Sequence, residues 1–204
     1  MKLMDGLKLP GQGIIVIPDC SRDDLPMFFK DMGYNVGAEI GVYKAMFTQQ
    51  LCSAGLKMYA IDSYIVYPAF RHPRGQERMD HLYKLARRGM RGYDCTFIRK
   101  LSMDAVLDFP DESLDFVYID GCRQFRYIAE DIAEWSMKVR KGGIVSGHDY
   151  ARFHPGGWAA CQVAEIVDAY VKAFEIKRYY LLGNAEAKIG EKRDKYRSWM
   201  WVKE

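Results

Sequence analysis

The sequence predicts a doubly wound α/β fold with a seven-stranded, mostly parallel sheet that ends in an antiparallel hairpin. Three observations carry this reading. Short apolar, strand-like runs alternate with amphipathic helical stretches through residues 36–174, the pattern of repeated βα units. Glu39 and Gly41, Asp62, Asp120 and His148-Asp149 all stand where strand-like runs end, and in an open sheet such ends line one crevice. Residues 177–182 and 198–202 are aromatic and β-branched with no long helical segment between them, so they pair as a hairpin.

Taken in order, residues 14–17 (IIVI) read as a short strand or edge segment. Asp23-Asp24 ahead of Pro26 mark a helix start and Gly33 a stop, which places a short helix over 23–32. Residues 1–35 are therefore expected to be an N-terminal helical extension of a core over 36–204, the two forming a single domain. The stretch VGAEIGVYKAMFTQQ (36–50) runs from the first core strand through a Gly-containing turn into a helix. Residues 57–61 (KMYAI) form the second strand. Met79, Leu82, Tyr83 and Ala86 lie at helical spacing over 76–88. Residues 96–98 make a third strand, and Ser102 is placed as the N-cap of a short helix whose Ala105, Val106 and Leu107 face the core. Residues 114–119 (LDFVYI) are the fourth strand. The helix over 124–139 aligns Phe125, Ile128, Ile132, Trp135 and Val139, and Gly142-Gly143 end it before a fifth strand at 144–146. Val163, Ile166, Val167, Tyr170, Val171 and Phe174 mark the last long helix.

At 204 residues, with 49% hydrophobic and 28% charged content, the chain has material for a full globular core. No apolar run approaches the roughly 20 residues of a membrane span, and the N-terminus lacks the apolar core of a signal peptide. The five cysteines are scattered without C-x-x-C spacing, so free thiols and a cytoplasmic location are expected. A net charge of +3 demands no polyanionic partner. Residues 71–100 hold nine Lys/Arg against three Asp/Glu. That bias reads first as a solvated helix face, with a phosphate-bearing or nucleic-acid partner as the alternative.

Gly41 permits close approach to the backbone, and the helix start behind it offers N–H groups. The 21 residues from Gly41 to Asp62 span one helix and one strand, and an acid there suits ribose hydroxyls. The first two strand ends thus suit a nucleoside-like cofactor, while Asp120, His148 and Asp149 lie where a second substrate belongs. The turn lacks the three-glycine fingerprint of a dinucleotide site, which argues against a nicotinamide-dependent dehydrogenase.

The segments AEIGVYKAMF, the acid of YAIDSY, and the run SLDFVYIDG…EDIAEWSMKVRKGGIVSGHDY over 113–150 carry a resemblance. The chain resembles class I S-adenosylmethionine-dependent methyltransferases, in particular the small subgroup near the macrolide- and sugar-type O-methyltransferases. The resemblance implies a Rossmann-like core and methyl transfer, foremost to a small-molecule or sugar hydroxyl. It implies that Gly41, Val42 and Tyr43 pass under the methionine part of the cofactor, with Glu39 near its amino group. Asp62 and Ser63 would hold the ribose, Ser102 and Met103 would flank the adenine, and Asp120 with Gly121 would sit beside the sulfonium and the acceptor. Some relatives hold a divalent cation such as Mg2+ with acids at the positions of Asp120 and Asp149, so Asp120, His148 and Asp149 are the candidate metal set.

The chain departs from those relatives twice: Ala45 stands where Gly is frequent, and Arg123 where His is common. Arginine cannot accept a proton near neutral pH, so Arg123 could only orient or neutralise an acidic substrate. His148 is then the expected base, with Asp120 or Asp149 orienting it. Tyr64, Phe70, His154 and Trp158 are candidate acceptor-pocket residues. A methyltransferase acting on RNA or protein through the basic 71–100 region, and a non-catalytic S-adenosylmethionine-binding protein, stay open as alternatives. A homo-oligomer also stays open.

Overall fold

Strand β5 (Leu114–Ile119) is buried at every position, as a strand covered on both faces must be. The structure, a computed structural model, describes residues 3–66, 75–153, 160–186 and 189–204. Around β5 lie β1 (Gly13–Ile17), β2 (Val36–Ile40), β3 (Lys57–Ile61), β4 (Cys95–Ile98), β6 (Val139–Tyr150), β7 (Arg178–Leu182) and β8 (Arg197–Val202). The sheet order is β1-β7-β8-β6-β5-β2-β3-β4. All pairings are parallel except those of β8 with β6 and β7, so the expected C-terminal hairpin is present.

The strand count is eight rather than seven. The additional strand is β1, which runs parallel to β7 from Gly13↔Arg178 to Ile17↔Leu182. Its Ile15 and Ile17 are buried while Ile14 and Val16 face out. The run at 14–17, read as a short strand or edge segment, is this strand at the sheet edge, and its partner lies at the other end of the chain.

Helices α1 (Leu3–Gly6), α2 (Leu25–Asp31), α3 (Met46–Ser53) and α4 (Gly75–Gly89) pack with one apolar cluster that includes Phe29, Leu51, Leu82 and Phe116. Helices α5 (Ser102–Ala105), α6 (Phe125–Lys138) and α7 (Val163–Ala173) pack with the other, which includes Ile132, Trp135, Val167 and Trp199. Adjacent β5 side chains divide between them, Phe116 and Tyr118 to the first and Val117 and Ile119 to the second.

Three local expectations are corrected. The fifth core strand starts at Val139, not at 144, because Leu114 pairs with Val139 before a register shift. Ser102 is not the N-cap of α5; Leu101 occupies that position, and the serine hydroxyl is spent elsewhere. Leu107, in the 3-10 turn after α5, and Phe125 and Phe174, at the ends of α6 and α7, are exposed rather than core-facing. Among the described residues, no helix is long and apolar enough to cross a membrane. All five cysteines are free thiols.

From β2 the chain winds through β3 to β4 on one side, and β5 and β6 lie on the other. The carboxyl ends of β2 and β5 therefore flank the switch point, where a crevice opens in such a sheet.

Candidate functional site

The turn after β2 is built around Gly41, whose φ is +89°. A Cβ placed there would stand 2.6 Å from both the Asp120 carbonyl carbon and the Gly121 Cα. The glycine thus lets the β2 and β5 ends touch. Tyr43 and Ala45 follow in the left-handed region at φ 51° and 59°. Asp62, at the end of β3, holds this strained turn: its Oδ2 accepts from the N–H groups of Val42 (3.1 Å) and Tyr43 (2.9 Å). Its Oδ1 accepts from Tyr64 N–H (2.9 Å). The N–H groups expected to be open to a ligand at this turn are thus partly taken by Asp62.

Tyr64 is fully buried, and its hydroxyl donates to the Tyr43 carbonyl at 2.9 Å. It braces the turn and does not line an acceptor pocket. Tyr64→Phe is expected to cost about 1 kcal/mol in urea unfolding, because the Tyr43 carbonyl loses its partly buried donor. Phe70, His154 and Trp158 lie outside the described residues.

Two clefts meet at Gly41. One, of ≈ 220 Å³, is lined among others by Asp62, Ser63, Ser102, Met103, Gly121 and Asp131. The other, of ≈ 250 Å³, is lined by Arg22, Glu39, Val42, Tyr43, Lys44 and Asp120, with Met46 and Phe47. A buried carboxyl marks each. Glu39 is 2% exposed and accepts from Thr48 Oγ1. In the first cleft, Ser102 Oγ donates to Asp131 Oδ1 and accepts from Trp135 Nε1 at 2.7 Å.

Asp120, His148 and Asp149 converge, with one ligand atom from each lying within 4.8 Å of the others. A register shift between Gly147 and Tyr150 in the β6–β8 pairing creates this cluster by turning His148 and Asp149 out of the ladder. His148 Nδ1 lies 3.2 Å from Asp149 Oδ1 and 3.8 Å from Asp120 Oδ1. Its Nε2 is buried without a hydrogen-bond partner among the described residues, 3.9 Å from Asp194 Oδ2. Two guanidiniums close the cluster: Arg22 Nη1 is 3.2 Å from Asp120 Oδ2, and Arg123 Nη1 is 3.5 Å from Asp149 Oδ2.

Burial pushes the carboxyl pKa of Glu39 up to about 8 and that of Asp131 to about 7. Asp120 rises to about 6, chiefly through burial, although the His148 charge pulls it down. Burial by itself would lower His148, but the bond to Asp149 and the charges of Asp120 and Asp149 outweigh it and raise the imidazole. Asp149 is opposite: burial works to raise it, yet His148 and the two arginines hold it below its ordinary value.

For Glu39, Asp120, Asp131 and His148, the folded state keeps a proton that the unfolded chain has already released. Ligand-free stability is therefore expected to fall as pH rises from about 5 to about 8. Thermal unfolding across that range checks this, and Glu39→Gln, which cannot ionise, is expected to flatten the slope.

Every cofactor-site residue expected from sequence borders one of the two clefts, and the three expected catalytic residues form one cluster. Sequence reasoning missed Arg22, Asp131 and Asp194. Asp131 sits among the apolar positions of α6, where a buried acid in an otherwise apolar stripe is a readable signal. Arg22 and Asp194 had none, since Arg22 lies 98 residues from Asp120 in sequence.

A family model described as a methyltransferase domain matches residues 35–150. No curated protein matches the sequence. Among solved structures, a candidate caffeoyl-CoA O-methyltransferase from Staphylococcus aureus is similar at a TM-score of 0.60 and 12% identity, over 90% of this chain and 82% of that one. A candidate O-methyltransferase from Klebsiella pneumoniae gives 0.58 and 13%, over 90% and 80%. The O-methyltransferase from Bacillus cereus, in complex with SAH, gives 0.57 and 16%, over 89% and 80%. At such identities the likeness is one of fold.

Proposed function

Because the chain belongs to the methyltransferase-domain family and is an S-adenosylmethionine-dependent methyltransferase, we propose that it methylates a hydroxyl of a small molecule or sugar. The observation that carries this reading is the pair of clefts joined at Gly41, with the Asp120–His148–Asp149 cluster beside the junction. When bound, the cofactor supplies an electrophilic methyl group on a sulfonium.

Glu39 takes the ammonium of the amino-acid part, with Arg22 and Lys44 in the same cleft for its carboxylate. Asp62 meets the ribose through Oδ1, whose backbone partner among the described residues is Tyr64 N–H and which has capacity for another donor. Ser63 stands beside it, and Ser102 and Met103 flank the base, with Asp131 as an acceptor for an exocyclic amine. Gly121 lets the β5 end approach.

The bound cofactor would supply the methyl group and leave as the thioether, and the acceptor's hydroxyl proton would go to the His148 imidazole. Asp149 orients the imidazole through Nδ1, the division of labour of an acid–imidazole pair. Asp120 stands at the junction and holds the acceptor in line.

Asp120, His148 and Asp149 are also the set that would hold Mg2+, and their donor chemistry fits it poorly. Each carboxylate already faces a guanidinium, and the imidazole nitrogen nearest both acids is bonded to Asp149. No step above passes through an ion.

The second reading, an RNA or protein acceptor, has one observation in its favour. A depression of ≈ 530 Å³ on α4 is lined by His81, Lys84, Arg87, Arg88 and Arg91. Among the described residues, none that lines it borders either cleft, so the hydroxyl reading stands first. Steep salt dependence of binding to RNA would reverse that order.

Calorimetry with S-adenosylmethionine against NAD tests the proposal. Binding of the former, with proton release from Glu39 visible as buffer-dependent heat at pH 7, is expected; tight NAD binding instead would overturn it.

A further inference from the structure

We propose that Arg22 and Arg123 supply the positive charge that a divalent cation would bring to this centre, so that the protein works without a metal ion. The inference rests on the reading of the Asp120–His148–Asp149 cluster as the transfer site. A hard cation needs several free oxygen ligands. Here Asp120 Oδ2 faces Arg22 at 3.2 Å, Asp149 Oδ2 faces Arg123 at 3.5 Å, and Asp149 Oδ1 faces His148 Nδ1 at 3.2 Å. An imidazole nitrogen that donates to a carboxylate has no lone pair left for a metal. A guanidinium cannot shed its charge at any working pH, so an ion entering the cluster would meet two fixed positive charges.

The arginines are anchored parts of the framework. Arg22 opens a short 3-10 turn (Arg22–Asp24) fixed by a capping box between Ser21 and Asp24. Its own N–H donates to Asp194 Oδ2 at 2.8 Å, and its guanidinium sits 5.7 Å from the Phe47 ring centroid. The Arg123 carbonyl accepts from Gln162 N–H at 2.9 Å, tying it to the segment before α7. The backbone of each is thus fixed beside the carboxylate that its guanidinium faces. When the acceptor loses its proton, guanidinium N–H groups beside the cluster stabilise the developing oxyanion. An acceptor then gains nothing from presenting two adjacent oxygens for chelation, and a lone hydroxyl suffices.

Mn2+ binding to the full chain, followed by electron paramagnetic resonance and calorimetry, tests the idea without using methyl transfer. The wild type is expected to leave Mn2+ free, and its affinity for S-adenosylhomocysteine to be the same in Mg2+ as in EDTA. The double variant Arg22→Ala/Arg123→Ala is expected to gain a single Mn2+ site at least about ten-fold tighter than any in the wild type. Circular dichroism checks its fold, and Arg22→Gln/Arg123→Gln replaces it if the alanine pair unfolds. Saturable one-site Mn2+ binding by the wild type would overturn the proposal, as would a folded double variant with no gain. Failure of S-adenosylhomocysteine to bind would instead sink the functional reading, a separate result in the same titrations.

Discussion

Gly41→Ala is expected to unfold most of the cofactor site and to destabilise the protein by about 2–4 kcal/mol. Two costs add. An L side chain at φ +89° is strained, and its Cβ would stand 2.6 Å from the backbone of Asp120 and Gly121. The obstacle is main chain on both sides, so no rotamer change relieves it. The ends of β2 and β5 would have to separate, carrying Glu39 and Asp120 apart and opening the junction between the clefts. Gly33→Ala supplies the control, since Gly33 has φ +77° with nothing within 4 Å of an added Cβ. It bears the conformational strain alone, about 1 kcal/mol. Urea unfolding and titration with S-adenosylhomocysteine compare the two. Equal losses for both glycines would refute the close-approach argument; a loss of affinity of about 100-fold or more at Gly41 alone is the expected result.

His148→Gln is expected to lower kcat by about 10²–10⁴-fold while leaving cofactor affinity within a few-fold of the wild type. Glutamine can keep a hydrogen bond to Asp149 but cannot take up a proton. The pH profile separates this from simple disruption. The His148 imidazole is raised above its ordinary value of 6.5. Wild-type turnover should therefore climb with pH through an apparent pKa above that value, as the imidazole loses its proton and becomes a competent base. The variant should show a low rate without that step. A His148→Gln enzyme with undiminished kcat would remove the residue from the mechanism and leave Asp120 as the base.

Much of this was legible in the chain. Apolar periodicity located the seven core strands, since burial against one neighbouring layer leaves a signal within a few residues. The site positions followed from topology, because every parallel βα unit points its carboxyl end the same way. Glu39, Gly41, Asp62, Asp120, His148 and Asp149 were picked out on that ground. Gly41 was read as giving a ligand access to the backbone, and its freedom also serves the contact with β5. Ser102 was read as a helix cap from its local position, yet Asp131 and Trp135, 29 and 33 residues further on, claim its hydroxyl.

What the sequence by itself determined is the alternation of elements, the crevice and the residues that face it, because these depend on short-range pattern and a single direction of winding. Only the tertiary structure decided what neutralises the crevice. Arg22 reaches Asp120 across 98 residues, Arg123 turns toward Asp149, and Asp194 arrives from the loop before β8. Such pairings are chosen by where the sheet brings chain ends together in space, and no spacing along the chain encodes them.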